Sequence, residues 1–188
     1  ADLISHARHF VDSCLTDSLD LAVPGGGDPT IGALNAVTGD VSEGATPSGT
    51  ALIAMAAFQL SQLFGEGRYR EAAWRAVAPY ADAVRLRTLG FGGLAGVLWQ
   101  LGEGGHELVV VESGGDTELS GVAREYAPPG WLVLDTTSAE AAELFSRGVD
   151  LLAGRCEQDY SAAYICHGGV CDRPHTEASA LREALSKE

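Results

Sequence analysis

The sequence predicts a mixed α and α/β fold, in which antiparallel helical hairpins are followed by a small, mainly parallel three-stranded α/β layer. Three observations lead there. Apolar residues recur at helical spacing through the first half of the chain. A Gly102-Glu103-Gly104-Gly105 break follows. Beyond it, short and continuously apolar runs alternate with amphipathic segments, as in strands buried on both faces between helices. A helical part is expected over 1–101, with a long loop at 19–44, and an α/β part over 106–188.

Leu3, Ala7, Phe10, Val11 and Cys14 form a stripe that predicts a helix over Leu3–Leu15, with Asp2 as a possible cap. Pro24, the run Gly25-Gly26-Gly27, Asp28-Pro29 and Gly39-Asp40 then mark an irregular loop. Loops of this length are uncommon unless they serve a function. Thr46-Pro47-Ser48-Gly49 reads as a helix entry, leading to an apolar face of Leu52, Met55, Ala56, Leu60 and Leu63. Gly65 and Gly67 end that helix, and Arg68–Val84 predicts the next, with Tyr69, Ala72, Ala73, Ala76, Val77 and Tyr80 on one side. A third helix is expected near Gly93–Leu101, and such short connections favour antiparallel neighbours.

In the second half, Glu107–Val111 predicts a strand, Thr117–Tyr126 a helix, Trp131–Asp135 a strand and Ala139–Phe145 a helix capped by Thr137-Ser138. Ser161–Cys166 predicts the third strand and Glu177–Leu185 the last helix.

The 188 residues suffice for one ordinary domain or two small ones, and 46% hydrophobic content suffices for a core. A formal net charge of −14 disfavours nucleic acid and anionic membrane as partners, because binders of phosphate present basic surface. The longest apolar stretch, Ala51–Leu63, is shorter than the roughly 18 residues of a membrane-spanning helix. No initiator Met and no leader pattern are present, so the chain reads as a fragment, with a cytoplasmic setting and reduced thiols expected. No cofactor is expected.

Cys166 and Cys171 are spaced C-x4-C, unlike the C-x-x-C of thioredoxin-type centres. The intervening Gly168-Gly169 supplies a turn that can bring the two within disulfide range, and Cys166 falls at the end of a strand. Three readings stand: structural thiols, a redox or regulatory pair, and a metal site using Cys166, His167, Cys171 and His175, with Cys156 a further ligand type nearby. The loop Glu112-Ser113-Gly114-Gly115-Asp116 reads as a plain strand-to-helix turn, since it lacks Lys and its acids repel phosphate. A serine hydrolase is set aside for want of a G-x-S-x-G elbow.

The run Glu43-Gly44-Ala45-Thr46-Pro47-Ser48-Gly49, the helix Arg68-Tyr69-Arg70-Glu71-Ala72-Ala73 and the stretch Tyr164–Thr176 together resemble one family. The chain resembles the C-terminal end of the large thioredoxin-domain-containing proteins, once grouped as a domain of unknown function. In those proteins a thioredoxin-like domain is fused to an α/α toroid similar to that of N-acylglucosamine 2-epimerases and six-hairpin glycosidases. The motif residues that carry the resemblance are Pro47, Ser48, Gly49, Cys166, Cys171, Tyr164, Pro174 and Thr176. Thr50 stands where the family usually has Asn, and His167 and His175 depart from the family pattern.

The resemblance implies a non-catalytic C-terminal structural or interaction module. Its expected partners are the missing thioredoxin-like and toroid portions, or another copy of the chain. It also implies an alternative, part of a carbohydrate-active enzyme resembling sugar epimerases or glycosidases. In that reading Glu43 and Asp40 are candidate acid–base residues, with Trp74, Tyr80 and Trp99 as sugar platforms. A further alternative is a dithiol switch at Cys166 and Cys171 that controls docking of a thioredoxin-like partner.

Overall fold

The computed structural model describes residues 2–21, 41, 43–115 and 117–188. Asp40 and most of the expected loop at 19–44 lie outside the described residues, as does the side chain of Asp2. The chain divides into two compact units: a helical unit of Asp2–Ser61 with Glu66–Gly102, and an α/β unit of Glu103–Glu188 with Gln62–Gly65. The fold is mixed, with helices and a four-stranded sheet that does not close into a barrel.

The helices α1 (Asp2–Cys14), α2 (Gly49–Phe64), α3 (Gly67–Val77), α4 (Ala81–Leu86) and α5 (Gly92–Glu103) occupy the first half. Helix α3 buries Tyr69, Ala72, Ala73 and Val77, the side the periodicity indicates. The single helix expected over Arg68–Val84 is instead broken: Ala78–Tyr80 forms a 3-10 turn before α4. Pro79 explains the break, because its ring removes a donor and collides with the preceding turn. Helix α2 buries Leu60 and Leu63 of the expected face, together with Ala51, Ile53, Ala54, Ala57, Phe58 and Phe64, whereas Leu52 is exposed. This helix is apolar nearly all round, so periodicity does not select a face.

Polar side chains tie the helical unit together. The Tyr69 hydroxyl donates to Asp12 at 2.7 Å, Arg68 pairs with the same carboxylate at 3.0 Å, and Arg8 pairs with Glu66. The helix entry is held by Glu43. Its Oε1 accepts from the backbone N–H and the hydroxyl of Ser48, each at 3.1 Å, and its Oε2 accepts from the Gly93 N–H. Ser48 in turn caps α2, its hydroxyl oxygen accepting from Ala51 N–H at 3.2 Å. One carboxylate therefore occupies the positive N-terminal ends of both α2 and α5. Gly93 is required by this arrangement, since a Cβ there would lie 2.7 Å from Glu43 Oε1 and 3.1 Å from the Ala51 Cβ.

The α/β unit contains β1 (His106–Glu112), α6 (Glu118–Tyr126), β2 (Leu132–Thr137), α7 (Ser138–Ser146), β3 (Ala162–His167), β4 (Val170–Cys171) and α8 (Ala178–Leu185). The sheet order is β2-β1-β3-β4. β1 and β2 are parallel and joined through α6, but β3 runs antiparallel to β1, and β4 antiparallel to β3. The expected three-stranded, mainly parallel layer is thus corrected to a four-stranded mixed sheet. Continuous apolarity reports burial on both faces and is blind to strand direction. The segment between α7 and β3 returns the chain to the opposite end of the sheet, and β4 is too short to show a pattern.

On one face, Leu108, Val110, Ala163 and Ile165 pack with Leu119, Val122 and Ala123 of α6 and Leu181 and Leu185 of α8. The opposite face carries Glu107, Val109 and Val111 beside Cys166, Tyr164 and Ala162, all buried. Thr137 caps α7 in a reciprocal box with Glu140, at 3.3 and 3.1 Å. Glu112 accepts from Ser120 N–H at 3.0 Å, so the chain's own carboxylate sits at the start of α6 where an anion would bind.

Gly93→Ala is expected to cost about 1–3 kcal/mol of stability by overpacking against Glu43 and Ala51. Urea unfolding monitored by circular dichroism checks this, and an unchanged midpoint would contradict the double-cap role of Glu43.

Candidate functional site

The chain reverses between β3 and β4 through Gly168 and Gly169, both at positive φ (58° and 83°). Two consecutive left-handed residues make the two-residue turn that suits a twisted hairpin. His167 then faces Val170, and the next pair along is Cys166 opposite Cys171. Their Cα atoms lie 3.9 Å apart and their sulfurs are bonded. The structure thus joins the two thiols that composition suggested would stay reduced. Asp172 N–H donates to the Ile165 carbonyl at 2.9 Å and continues the pairing below them.

Register extends this pair into a row, because Glu107 of β1 is the direct partner of Cys166. Directly opposite residues on neighbouring strands share a face. Glu107, Cys166 and Cys171 therefore stand side by side across three strands. Glu107 is 2% exposed and Cys166 1%, whereas Cys171 is partly exposed.

Arg155 approaches the same row from the turn after the 3-10 segment Asp150–Leu152. Its Nη2 lies 2.7 Å from Cys171 Sγ and 4.0 Å from Cys166 Sγ, and its Nη1 donates to the Leu151 carbonyl. The guanidinium carbon is 5.3 Å from the centre of the Tyr164 ring, whose hydroxyl donates to Gln158 at 3.0 Å. Among the described residues no carboxylate is within ion-pair distance of Arg155. Burial lowers its pKa, opposed by the charges of Tyr164, Glu107 and Cys156. Arginine nevertheless stays protonated, so a half-buried cation faces two sulfurs.

Burial raises the Glu107 pKa above the ordinary carboxylate value. A bond from Gln62, the nearby Gly169 amide, and the charges of His106 and His167 oppose that rise without cancelling it. Gln62 Nε2 donates to Glu107 Oε1 at 2.6 Å, while Glu107 Oε2 and Gln62 Oε1 are buried with no partner in hydrogen-bond geometry. Protonation brings one donor to a site that otherwise holds two orphan oxygens. At the same end of the sheet, His106 stacks between Trp131 at 4.9 Å and His167 at 4.2 Å.

Other sequence-derived candidates are distributed elsewhere. Both oxygens of Glu43 are engaged by backbone and hydroxyl donors in the helical unit. Pro47 and Gly49 flank the Ser48 cap, and Trp74 and Trp99 are about half exposed. Tyr164 belongs to the sulfur site, whereas Pro174 and Thr176 are exposed beyond the hairpin. His175 pairs through its backbone with Ala163 at 2.8 Å. His167 contacts the Glu103 carbonyl, and the Cys156 thiol donates to Leu152 at 3.3 Å. Among the described residues no three His, Cys, Asp or Glu side chains gather to hold a metal. The suggested ligands Cys166, His167, Cys171 and His175 therefore do not converge, two of them being committed to each other.

Glu107 and Arg155 were not singled out by the sequence. An acid opening an otherwise apolar strand is a signal that could have found Glu107; Arg155 sits in no motif, and only the fold brings it to the sulfurs. No family model, no curated protein and no solved structure matches this chain.

The raised Glu107 pKa has a definite sign for stability. The folded chain holds this proton more tightly than the unfolded chain, so the contribution is full below the unfolded value of about 4.3 and is lost as pH rises through the folded value. Glu107→Gln is expected to gain melting temperature relative to the parent as pH rises through that window. A difference independent of pH, measured by thermal denaturation across buffers, would show that Glu107 is an ordinary carboxylate.

Proposed function

We propose that this chain is a non-catalytic structural and interaction module, the C-terminal part of a cytoplasmic thioredoxin-domain and α/α-toroid protein. Its helical unit contributes hairpins to a toroid that further helices of the longer protein complete. The observation that carries this reading is where large apolar side chains remain exposed. In the helical unit Leu3 is 84% exposed, Leu86 73% and Leu89 fully, with Phe10, Leu52, Trp74 and Trp99 each about half exposed. Leu3 and Phe10 lie two turns apart on the same apolar stripe of α1 as Val11 and Cys14, yet only Val11 and Cys14 are buried. An apolar stripe covered over only part of its length is suited to a further neighbour. The Glu43–Ser48 helix entry gives the family-like motif a definite role in holding α2 and α5 together.

A second reading, a carbohydrate-active protein, draws on a groove of about 200 Å³ in the helical unit lined by Gly67, Arg70, Glu71, Trp74 and Leu101. An aromatic face beside an acid and a base suits a sugar, with Trp74 as the platform. In this reading Glu43 remains a helix clamp and the acid nearest the groove is Glu71. Neutral hexoses raising the melting temperature would favour it over the module reading.

The module reading is tested by sedimentation velocity with parallel binding of an anilinonaphthalene dye. The isolated chain is expected to self-associate with concentration or bind dye in its native state, and Leu3→Lys with Leu89→Lys to reduce both. A monomer at all concentrations without dye binding would overturn it.

A further inference from the structure

The row of Glu107, Cys166 and Cys171, with Arg155 beside it, has chemistry that a structural module does not need. We propose that Cys166–Cys171 is a thiol–disulfide exchange site for a protein dithiol, in which Cys171 is attacked, Cys166 leaves, Arg155 stabilises thiolate and Glu107 supplies a proton to Cys166. This inference stands independently of the toroid reading.

The assignment of the two sulfurs follows from access. An attacking thiolate must reach one sulfur from outside, and only Cys171 is partly exposed, Cys166 being 1% exposed. In exchange the attacked sulfur forms the mixed disulfide and the other departs. Departure leaves charge on a sulfur inside the protein, which is costly unless a cation or a proton meets it. Both are in place: Arg155 Nη2 is 2.7 Å from Cys171 Sγ and 4.0 Å from Cys166 Sγ, and Glu107 is the cross-strand partner of Cys166.

The step balances as follows. The partner thiolate bonds to Cys171 Sγ as the Sγ–Sγ bond breaks, and the electron pair stays on Cys166 Sγ. Glu107 gives its proton to that thiolate and is later reprotonated from water. The partner's second thiol, after losing its proton to water, attacks the partner sulfur of the mixed disulfide, and Cys171 departs as a thiolate beside Arg155. Two electrons have passed to this chain, and the partner dithiol has become a disulfide.

A cation dedicated only to packing would be expected to pair with a carboxylate, and this chain has an excess of acids. Arg155 meets none within ion-pair distance among the described residues. The raised pKa of Glu107 fits the same logic, because a protonated neighbour does not repel the departing thiolate. The titratable and charged groups around Glu107 are His106, His167 and Arg155.

The test uses the full chain with dithiothreitol as the probe dithiol and a chromogenic aromatic disulfide as the thiol reagent, with labelled cysteines located by peptide mass. In Cys166→Ser the remaining Cys171 is expected to react at least about tenfold faster than Cys166 does in Cys171→Ser. Arg155→Gln is expected to slow Cys171 about three- to tenfold near neutral pH and move its pH midpoint upward, with Arg155→Lys returning the midpoint toward the parent value. With the probe's own ionisation divided out, reduction of the parent disulfide is expected to slow as Glu107 ionises, and Glu107→Gln to lose that dependence. Circular dichroism confirms that each variant is folded. Equal reactivity of the two cysteines, a Cys171 midpoint unmoved in folded Arg155→Gln, or a disulfide that dithiothreitol opens only on unfolding would each overturn the proposal.

Discussion

Strand β1 has no side that faces water. β2 and β3 close its two edges, α6 and α8 cover one face, and the opposite face is buried along its whole length. A strand so enclosed can carry polar groups only where the protein itself satisfies them. Glu112 meets that condition by accepting from the start of α6. Glu107 meets it by half, with one oxygen bonded to Gln62 and the other without a partner. That imbalance makes the end of the sheet near the hairpin different in kind from the rest of the core.

Two charges compete there. Removing a carboxylate from water costs several kcal/mol in an interior environment, and one amide bond with two neighbouring histidines recovers only part of it. Desolvation therefore dominates and raises the pKa of the acid. Glu107 and Arg155 form no ion pair, and the guanidinium lies against the sulfurs instead. The aromatic face of Tyr164 contributes a weaker cation–π attraction that holds the arginine over the hairpin. In the helical unit Glu43 is instead surrounded by donors at two helix starts and serves as a clamp.

Much of the element order was legible in the sequence because it rests on local signals. Punctuation at Gly65, Gly102–Gly105 and Gly168-Gly169, caps at Ser48 and Thr137, and short apolar runs each act over a few residues. What escaped depends on non-local geometry. Strand direction in β3 leaves no trace in apolarity, α2 is apolar nearly all round so that periodicity did not mark Leu52 as exposed, and Pro79 outweighed a good helical stripe. The candidate site was half visible. Cys166 and Cys171 could be seen as a pair, but their use as a bonded pair beside Arg155 and Glu107 comes from sheet register and from a turn eleven residues upstream of Cys166.

The central claim, that the buried acid and the cysteine pair form one electrostatic unit, is tested most directly by following the carboxyl carbon of Glu107 by NMR through a pH titration, in the oxidised and the reduced chain. The account predicts a midpoint above the ordinary carboxylate value in the oxidised chain and a shifted midpoint on reduction, when the bonded sulfur beside the acid becomes the Cys166 thiol. A midpoint at the ordinary value in the oxidised chain, or one that does not move on reduction, would contradict it.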